Sequence, residues 1–169
     1  MEIRHIQEND DRMAISHIYE EGWRFAYRGI VPQEFLDSIP ERRWAYCLDR
    51  KGVGSLVVVE DGQLIGTSSY SQSRWEQFSG FGEIISIYML PQYMGKGYGR
   101  RLLEAAVAEL EKFGYQDIFL WVLAQNQRAR KFYEKCGFTP TEHVMDHEIG
   151  GKMLQEVQYY RSNQTNRKA

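Results

Sequence analysis

The sequence predicts one mixed α/β (α+β) domain, a central sheet with helices, and three observations carry that prediction. Hydrophobic periodicity alternates along the chain between the helical repeat and the two-residue repeat of strands. Strand-like segments occur both as hairpin pairs and as strand–helix–strand units, which implies a mixed sheet rather than a barrel of repeats. The length is 169 residues, 43% of them hydrophobic and 26% charged. That suits a single globular domain and excludes both a disordered chain and a disulfide-stapled miniprotein.

Glu2 to Ile6 alternates weakly, as a short first strand does. Asp10 or Asp11 offers an N-cap, and Ile15, Ile18, Tyr19, Gly22, Phe25 and Ala26 then follow at helical spacing, so residues 12–27 read as an amphipathic helix. Gly29 stops it, and Pro32 opens a second helix near residues 33–49 with a break at Pro40. The period then changes. Ser55 to Glu60 holds the strand run Leu56-Val57-Val58-Val59, Asp61-Gly62 is a hairpin signal, and Gln63 to Gln72 returns.

A loop from Arg74 to Gly80 leads to the β-branched and aromatic strand Glu83 to Leu90, which Pro91 ends. After a glycine-rich turn, Leu103, Ala106, Val107 and Leu110 form the buried stripe of a helix from Arg100 to Phe113, with Gly114 at C′. Asp117 to Leu123 is a buried strand and Asn126 to Lys135 a helix. Thr139 to Ile149 and Lys152 to Arg161 flank Gly150-Gly151 as a last hairpin. Residues 1–161 are expected to form the single domain and residues 162–169 a polar tail.

Lys and Arg number 21 and Asp and Glu 23, a net charge of −2, so no global field attracts nucleic acid. Any phosphate site must be local. Cys47 and Cys136 lack CxxC spacing; they could close one long loop, but free thiols in a reducing compartment fit better. The opening residues lack the charge and apolar run of a leader, and the apolar-rich stretch from Ile84 to Gly95 is broken by Pro91 and too short to span a bilayer. A cytoplasmic protein without a membrane partner is expected.

The segment Pro91-Gln92-Tyr93-Met94-Gly95-Lys96-Gly97-Tyr98-Gly99-Arg100-Arg101 is the most informative. Glycines let successive amides converge, and the helix that follows adds its free N–H groups and positive dipole end, a combination that binds phosphate oxygens. A tight strand-to-helix turn with a solvated basic helix start is the alternative. The P-loop pattern is absent, since Gly-Lys is followed by Gly97, and the Rossmann spacing fails because Arg100 stands where its third glycine belongs.

Gln92-Tyr93-Met94-Gly95-Lys96-Gly97 resembles the Gln/Arg-x-x-Gly-x-Gly/Ala pyrophosphate motif of the GNAT superfamily of N-acetyltransferases. Asn126, Ala129, Phe132-Tyr133, Cys136 and Gly137-Phe138 are similar to the family's Asn-x-x-Ala-x-x-Phe-Tyr-x-x-x-Gly-Phe segment. The two blocks occur in the family's order, and with the strand order they extend the resemblance over residues 1–161.

The resemblance implies a mixed, mostly antiparallel central sheet with helices on both faces, splayed between strands 4 and 5. It implies transfer of an acetyl group from acetyl-CoA, with no metal, to a primary amine of a small molecule by direct attack in a ternary complex. The alternatives are peptide or protein amines as acceptors, or a non-catalytic acyl-CoA-binding sensor. Under the resemblance the pantetheine pairs with Ile87, Tyr88 and Met89, with an amide near Met89 as oxyanion donor. The pyrophosphate meets amides from Met94 or Gly95 through Lys96, Gly97, Tyr98 and Gly99 to Arg100, with Gln92 in the motif. Asn126, Ala129 and Phe132 complete the donor site. A homodimer is compatible with it, since dimers are common in the family.

Tyr133 is the matching general acid toward sulfur, a phenol of ordinary pKa about 10 opposite a thiolate of similar basicity; it also belongs to the helix's core stripe. Asn126 is equally an ordinary N-cap. Glu83 is the candidate base, working through water, because alternation puts it on one face with Ile85, Ile87 and Met89; the alternative is a solvated carboxylate at a strand start. His143 and His147 share a strand face without a third ligand, so a metal site is not expected. Trp23, Phe25, Tyr27, Arg28, Phe35 and Trp44, with Trp75, Phe78, His147, Glu148, Gln155 and Tyr159, are candidates for an aromatic acceptor cleft, some of them necessarily core.

Overall fold

The computed structural model describes residues 1–163. In chain order they form β1 (Glu2–His5), α1 (Arg12–Ala26), α2 (Gln33–Asp37), β2 (Val53–Glu60), β3 (Gln63–Gln72), β4 (Gly82–Met89), α3 (Tyr98–Lys112), β5 (Asp117–Leu123), α4 (Gln127–Lys135), β6 (Thr139–Ile149) and β7 (Lys152–Ser162). This is the predicted element order. Of the expected tail, Ser162 ends β7 and residues 164–169 lie outside the described residues.

The strands build one sheet in the order β1-β2-β3-β4-β5-β7-β6. All neighbours are antiparallel except β4 and β5. That parallel pair registers only Gly82 with Ile118 and Glu83 with Phe119, after which the strands part. β5 continues instead along β7, from Asp117 opposite Ser162 to Leu123 opposite Glu156.

Helices cover both faces. Leu56 and Val58 of β2 pack with Leu102, Leu103, Ala106 and Leu110 of α3, while Val57 between them packs with Ile15 and Tyr19 of α1. Burial on both sides explains the unbroken Leu-Val-Val-Val run, which carries no polar alternation. Asp11 caps α1 by accepting from the amides of Met13 and Ala14.

The second helix differs from expectation. It ends at Asp37, and the chain after Pro40 runs in turns to residue 49 rather than resuming a helix. The cause lies in α1, whose buried Ser16 and Glu20 side chains supply acceptors. Glu20 Oε1 takes the Arg42 amide at 2.8 Å and Ser16 Oγ takes the Trp44 amide at 3.0 Å. Arg42 sits at φ 66°, outside the helical region.

β4 carries an irregularity that matters for function. Ser69 of β3 faces Ser86, but the next residue, Tyr70, faces Ile84, so Ile85 is the extra residue of a β-bulge. The bulge shifts the phase of the side chains. Ile84, Ile87 and Met89 lie on the α3 face, and Ser86 and Tyr88 reach Tyr19 on the α1 face.

Candidate active site

Where β4 and β5 part, a cavity of about 410 Å³ opens between them. One wall is the β4 backbone from Ile85 to Met89, which has no strand partner on its β5 side beyond Glu83. Trp121, Val122 and Leu123 of β5 form the facing wall, and α4 contributes Ala129, Phe132, Tyr133 and Cys136. Phe25, Ala26 and Tyr27 at the end of α1 also line it. Unpaired main-chain groups along one edge make the slot a place where an extended, amide-bearing chain can pair.

At one end lies the glycine turn. Gly95 and Gly97 adopt φ 79° and 81°, the left-handed region, and both border the cavity. Gly97 is the N-cap of α3 and offers no side-chain acceptor to the helix. The amides of Gly95 to Arg100 have no backbone acceptor among the described residues, whereas the Met94 amide is spent on Pro91 O at 3.2 Å. The free donors therefore begin at Gly95, not Met94, because Pro91–Tyr93 forms a 3-10 turn that Met94 closes.

Ile87, Tyr88, Met89, Met94, Gly95, Gly97, Gly99, Arg100, Asn126, Ala129, Phe132 and Tyr133 all line the cavity. Gln92, Lys96 and Tyr98 of the motif do not. Gln92 is exposed in the 3-10 turn, Lys96 lies over the Tyr93 ring at 5.1 Å, and the Tyr98 hydroxyl donates to Glu60 at 2.7 Å. Asn126 serves as the N-cap of α4, its side chain accepting the Ala129 amide at 3.1 Å, and borders the cavity as well.

Two cations escaped the sequence reading. Arg128 and Lys135 line the cavity with Arg100. Arg128 lies over the Phe25 ring at 4.6 Å and reaches Met94 Sδ at 3.0 Å, bridging α1 to the glycine turn. Their spacing of seven residues, with Phe132 between, places them on one helical face and was a usable signal.

Tyr133 is buried, and its hydroxyl has no hydrogen-bond partner among the described residues. Burial, with Tyr27 nearby, raises its pKa well above the ordinary phenol value. Burial thus makes this phenol a weaker acid than the ordinary one assumed in matching its basicity to a thiolate. Burial also raises Tyr27 and Tyr88, whose hydroxyls lie 3.1 Å apart, and pushes the Cys136 thiol up. Cys47 and Cys136 are both free.

The face expected for Glu83 is also corrected. The bulge at Ile85 takes Glu83 out of phase with Ile87 and Met89. Its carboxylate, 1% exposed, accepts from Arg74 N, Nε and Nη2 at 3.1, 3.1 and 2.7 Å, and from Trp75 Nε1 at 3.4 Å. It lies outside the cavity lining and holds the β3–β4 loop against the sheet.

Of the aromatic candidates, Phe25 and Tyr27 border the cavity. Trp23, Phe35 and Trp44 pack against the core around Leu36 and Leu48, and Tyr159 is fully buried. Phe78 packs on Phe119 and His143. Glu156, which the sequence reading passed over, faces the cavity from β7, with His147 Nδ1 3.5 Å from its Oε2. No helix among the described residues is long and apolar enough to cross a membrane, and none of their His, Cys, Asp and Glu side chains cluster as a metal site would.

A mixed sheet parted between its fourth and fifth strands, with a glycine turn opening a helix at the gap, sets free amides suited to phosphate beside an unpaired strand edge. The family described as Acetyltransferase (GNAT) family matches residues 13–138, so the chain belongs to that family and is an acetyl-CoA-dependent acyltransferase. It is 29% identical over 151 residues to the uncharacterized N-acetyltransferase YuaI of Bacillus subtilis (strain 168), covering 88% of this chain and 86% of that protein. With the L-amino acid N-acyltransferase MnaT of Escherichia coli (strain K12) it shares 28% identity over 133 residues, 78% of this chain and 76% of the relative. The fold matches that of the PaiA N-acetyltransferase of Thermoplasma acidophilum, solved in complex with coenzyme A, with TM-score 0.74 and 21% identity over 96% and 99% of the two chains.

Proposed function

We propose that this chain acetylates the primary amine of a small molecule by direct attack of that amine on acetyl-CoA in a ternary complex. The observation that carries the reading is the continuity of one cavity. The same cavity is lined by Gly95 and Gly97 of the glycine turn, by the open β4 edge, and by Tyr27, Trp121 and Glu156. The pyrophosphate would rest on the amides from Gly95 to Arg100, with Arg100, Arg128 and Lys135 offsetting its charge. The pantetheine would pair along Ile87 to Met89, presenting the thioester to an amide near Met89 as oxyanion donor.

Tyr133 then faces the sulfur. Since its pKa is raised, full proton transfer to a departing thiolate is uphill, and the hydroxyl acts as a hydrogen-bond donor that stabilises the developing charge. The relatives' names, which include an L-amino acid N-acyltransferase and a spermidine N(1)-acetyltransferase, agree with a small amine. So does the closure between the first helices and the last hairpin. Lys152 Nζ donates to Ile30 O at 2.9 Å, and the β6–β7 turn packs against Phe35, leaving little room for a peptide to cross there.

The test is initial-rate kinetics with acetyl-CoA against a panel of amino acids, polyamines and alanyl peptides. Intersecting lines and turnover confined to small amines are expected. Parallel lines would contradict direct attack, and preference for peptides would contradict the acceptor class. Saturable acetyl-CoA binding with no turnover on any amine would favour a sensor.

A further inference from the structure

We infer that Glu156 is the acceptor-side catalytic residue, binding the ammonium of the incoming amine and removing its proton. This rests on the small-amine reading above and adds the group that prepares the nucleophile. Glu156 is the only carboxylate among the described residues that line the cavity. It faces Leu123 across β7–β5 and Met145 across β7–β6, so it enters the gap from the strand that β5 follows after leaving β4. The cavity's cations, Arg100, Arg128 and Lys135, are the complement, and a zwitterionic pocket of this kind seats an anionic donor and a cationic acceptor in one slot.

The environment suits the task. The Glu156 side chain is 18% exposed, and its one partner among the described residues is His147, 3.5 Å from Oε2 and 58% exposed. Oε1 is left to meet an ammonium. The groups that face the carboxylate are His147 from β6, Arg74 from the β3–β4 loop and Tyr27 from α1. Burial raises its pKa and outweighs the opposing pull of His147 and Arg74. A carboxylate of raised pKa is a better proton acceptor near neutrality than an ordinary one. Tyr27 and Trp121 line the same cavity, and aromatic rings favour a cation.

The ammonium gives one proton to Glu156, and the nitrogen lone pair then forms the C–N bond while the carbonyl π pair moves to oxygen. Collapse breaks the C–S bond, and sulfur leaves with its electron pair. The second nitrogen proton ends on sulfur, and the first passes from Glu156 to solvent beside the exposed His147.

The experiment compares the wild-type chain with Glu156→Gln and Glu156→Asp in two arms. Acetyl-CoA affinity is measured by calorimetry, and kcat and KM against pH are measured with spermidine, L-methionine and an alanyl peptide. The expected result is unchanged acetyl-CoA affinity, a kcat lowered about 100-fold or more in Glu156→Gln, partial recovery in Glu156→Asp, and loss of the acidic limb of the kcat profile. Activity needs the carboxylate, so the rate rises with pH through its pKa, and His147→Asn moves that limb to higher pH. A Glu156→Gln kcat within about threefold of wild type overturns the assignment while leaving the small-amine reading intact. Loss of acetyl-CoA affinity in Glu156→Gln would move the residue to the donor site and also overturn it. Wild type that binds acetyl-CoA but acetylates none of the three amines would refute the small-amine reading and this assignment together.

Discussion

Gly150, in the turn between β6 and β7, stands so close to Phe35 that a Cβ added to it would lie 2.6 Å from the Phe35 Cβ. Its φ of 61° independently favours glycine. The contact ties the last hairpin to α2, and under the proposed function it bears on the acceptor side of the site. Gly150→Ala is expected to destabilise the protein by about 1–3 kcal/mol through strain and overpacking. It should also raise KM for the amine while leaving acetyl-CoA affinity unchanged. Denaturant titration and steady-state kinetics check both parts; unaltered stability would show that the turn does not bear on Phe35.

Tyr133→Phe removes the hydrogen-bond donor proposed for the sulfur. A kcat lower by about 10- to 100-fold is expected with acetyl-CoA affinity within about twofold, because the interaction forms as charge develops on sulfur. The pH dependence follows from the raised pKa. Activity needs the protonated phenol, and raising the pKa extends that form upward, so Tyr133 should cause no fall in kcat up to the ordinary phenol value of about 10. A basic limb near that value in wild type, absent in Tyr133→Phe, would contradict the raised pKa, and a kcat for Tyr133→Phe equal to that of wild type would contradict the donor role.

Arg128→Gln should weaken acetyl-CoA binding about 3- to 10-fold and flatten its dependence on ionic strength, since one of three cavity cations is lost. Calorimetry at two salt concentrations reads both effects. An affinity that falls equally at low and high salt would assign Arg128 to packing against Phe25 instead.

The element order was legible because β2 and β3, α3 and β5 carry strong periodicity and glycine or proline punctuation. The donor end was legible because it is local: the glycine turn and the Asn126-to-Phe138 segment are contiguous in sequence. What stayed hidden depends on long-range packing. Glu83 left its expected face because one bulged residue, Ile85, reverses the alternation, and nothing in the β4 sequence marks a bulge. Residues 41–49 left the helix because Glu20 and Ser16, more than 20 residues upstream, capture their amides. Glu156 became visible only once β5 was seen to leave β4 and follow β7.

The central claim is that the glycine turn at the parted strands binds the acetyl-CoA pyrophosphate. Its most direct test is calorimetric titration of acetyl-CoA into wild type and Gly97→Val. A Cβ at Gly97 meets no protein atom within 4 Å, so the valine projects into open space at the proposed phosphate site while φ 81° adds backbone strain. Circular dichroism establishes that the variant is folded. The expected result is a Kd on the order of micromolar for wild type and binding weaker by at least about tenfold in folded Gly97→Val, from blocked approach to the amides. Equal affinity in the two proteins, or no binding by folded wild type, would contradict the account.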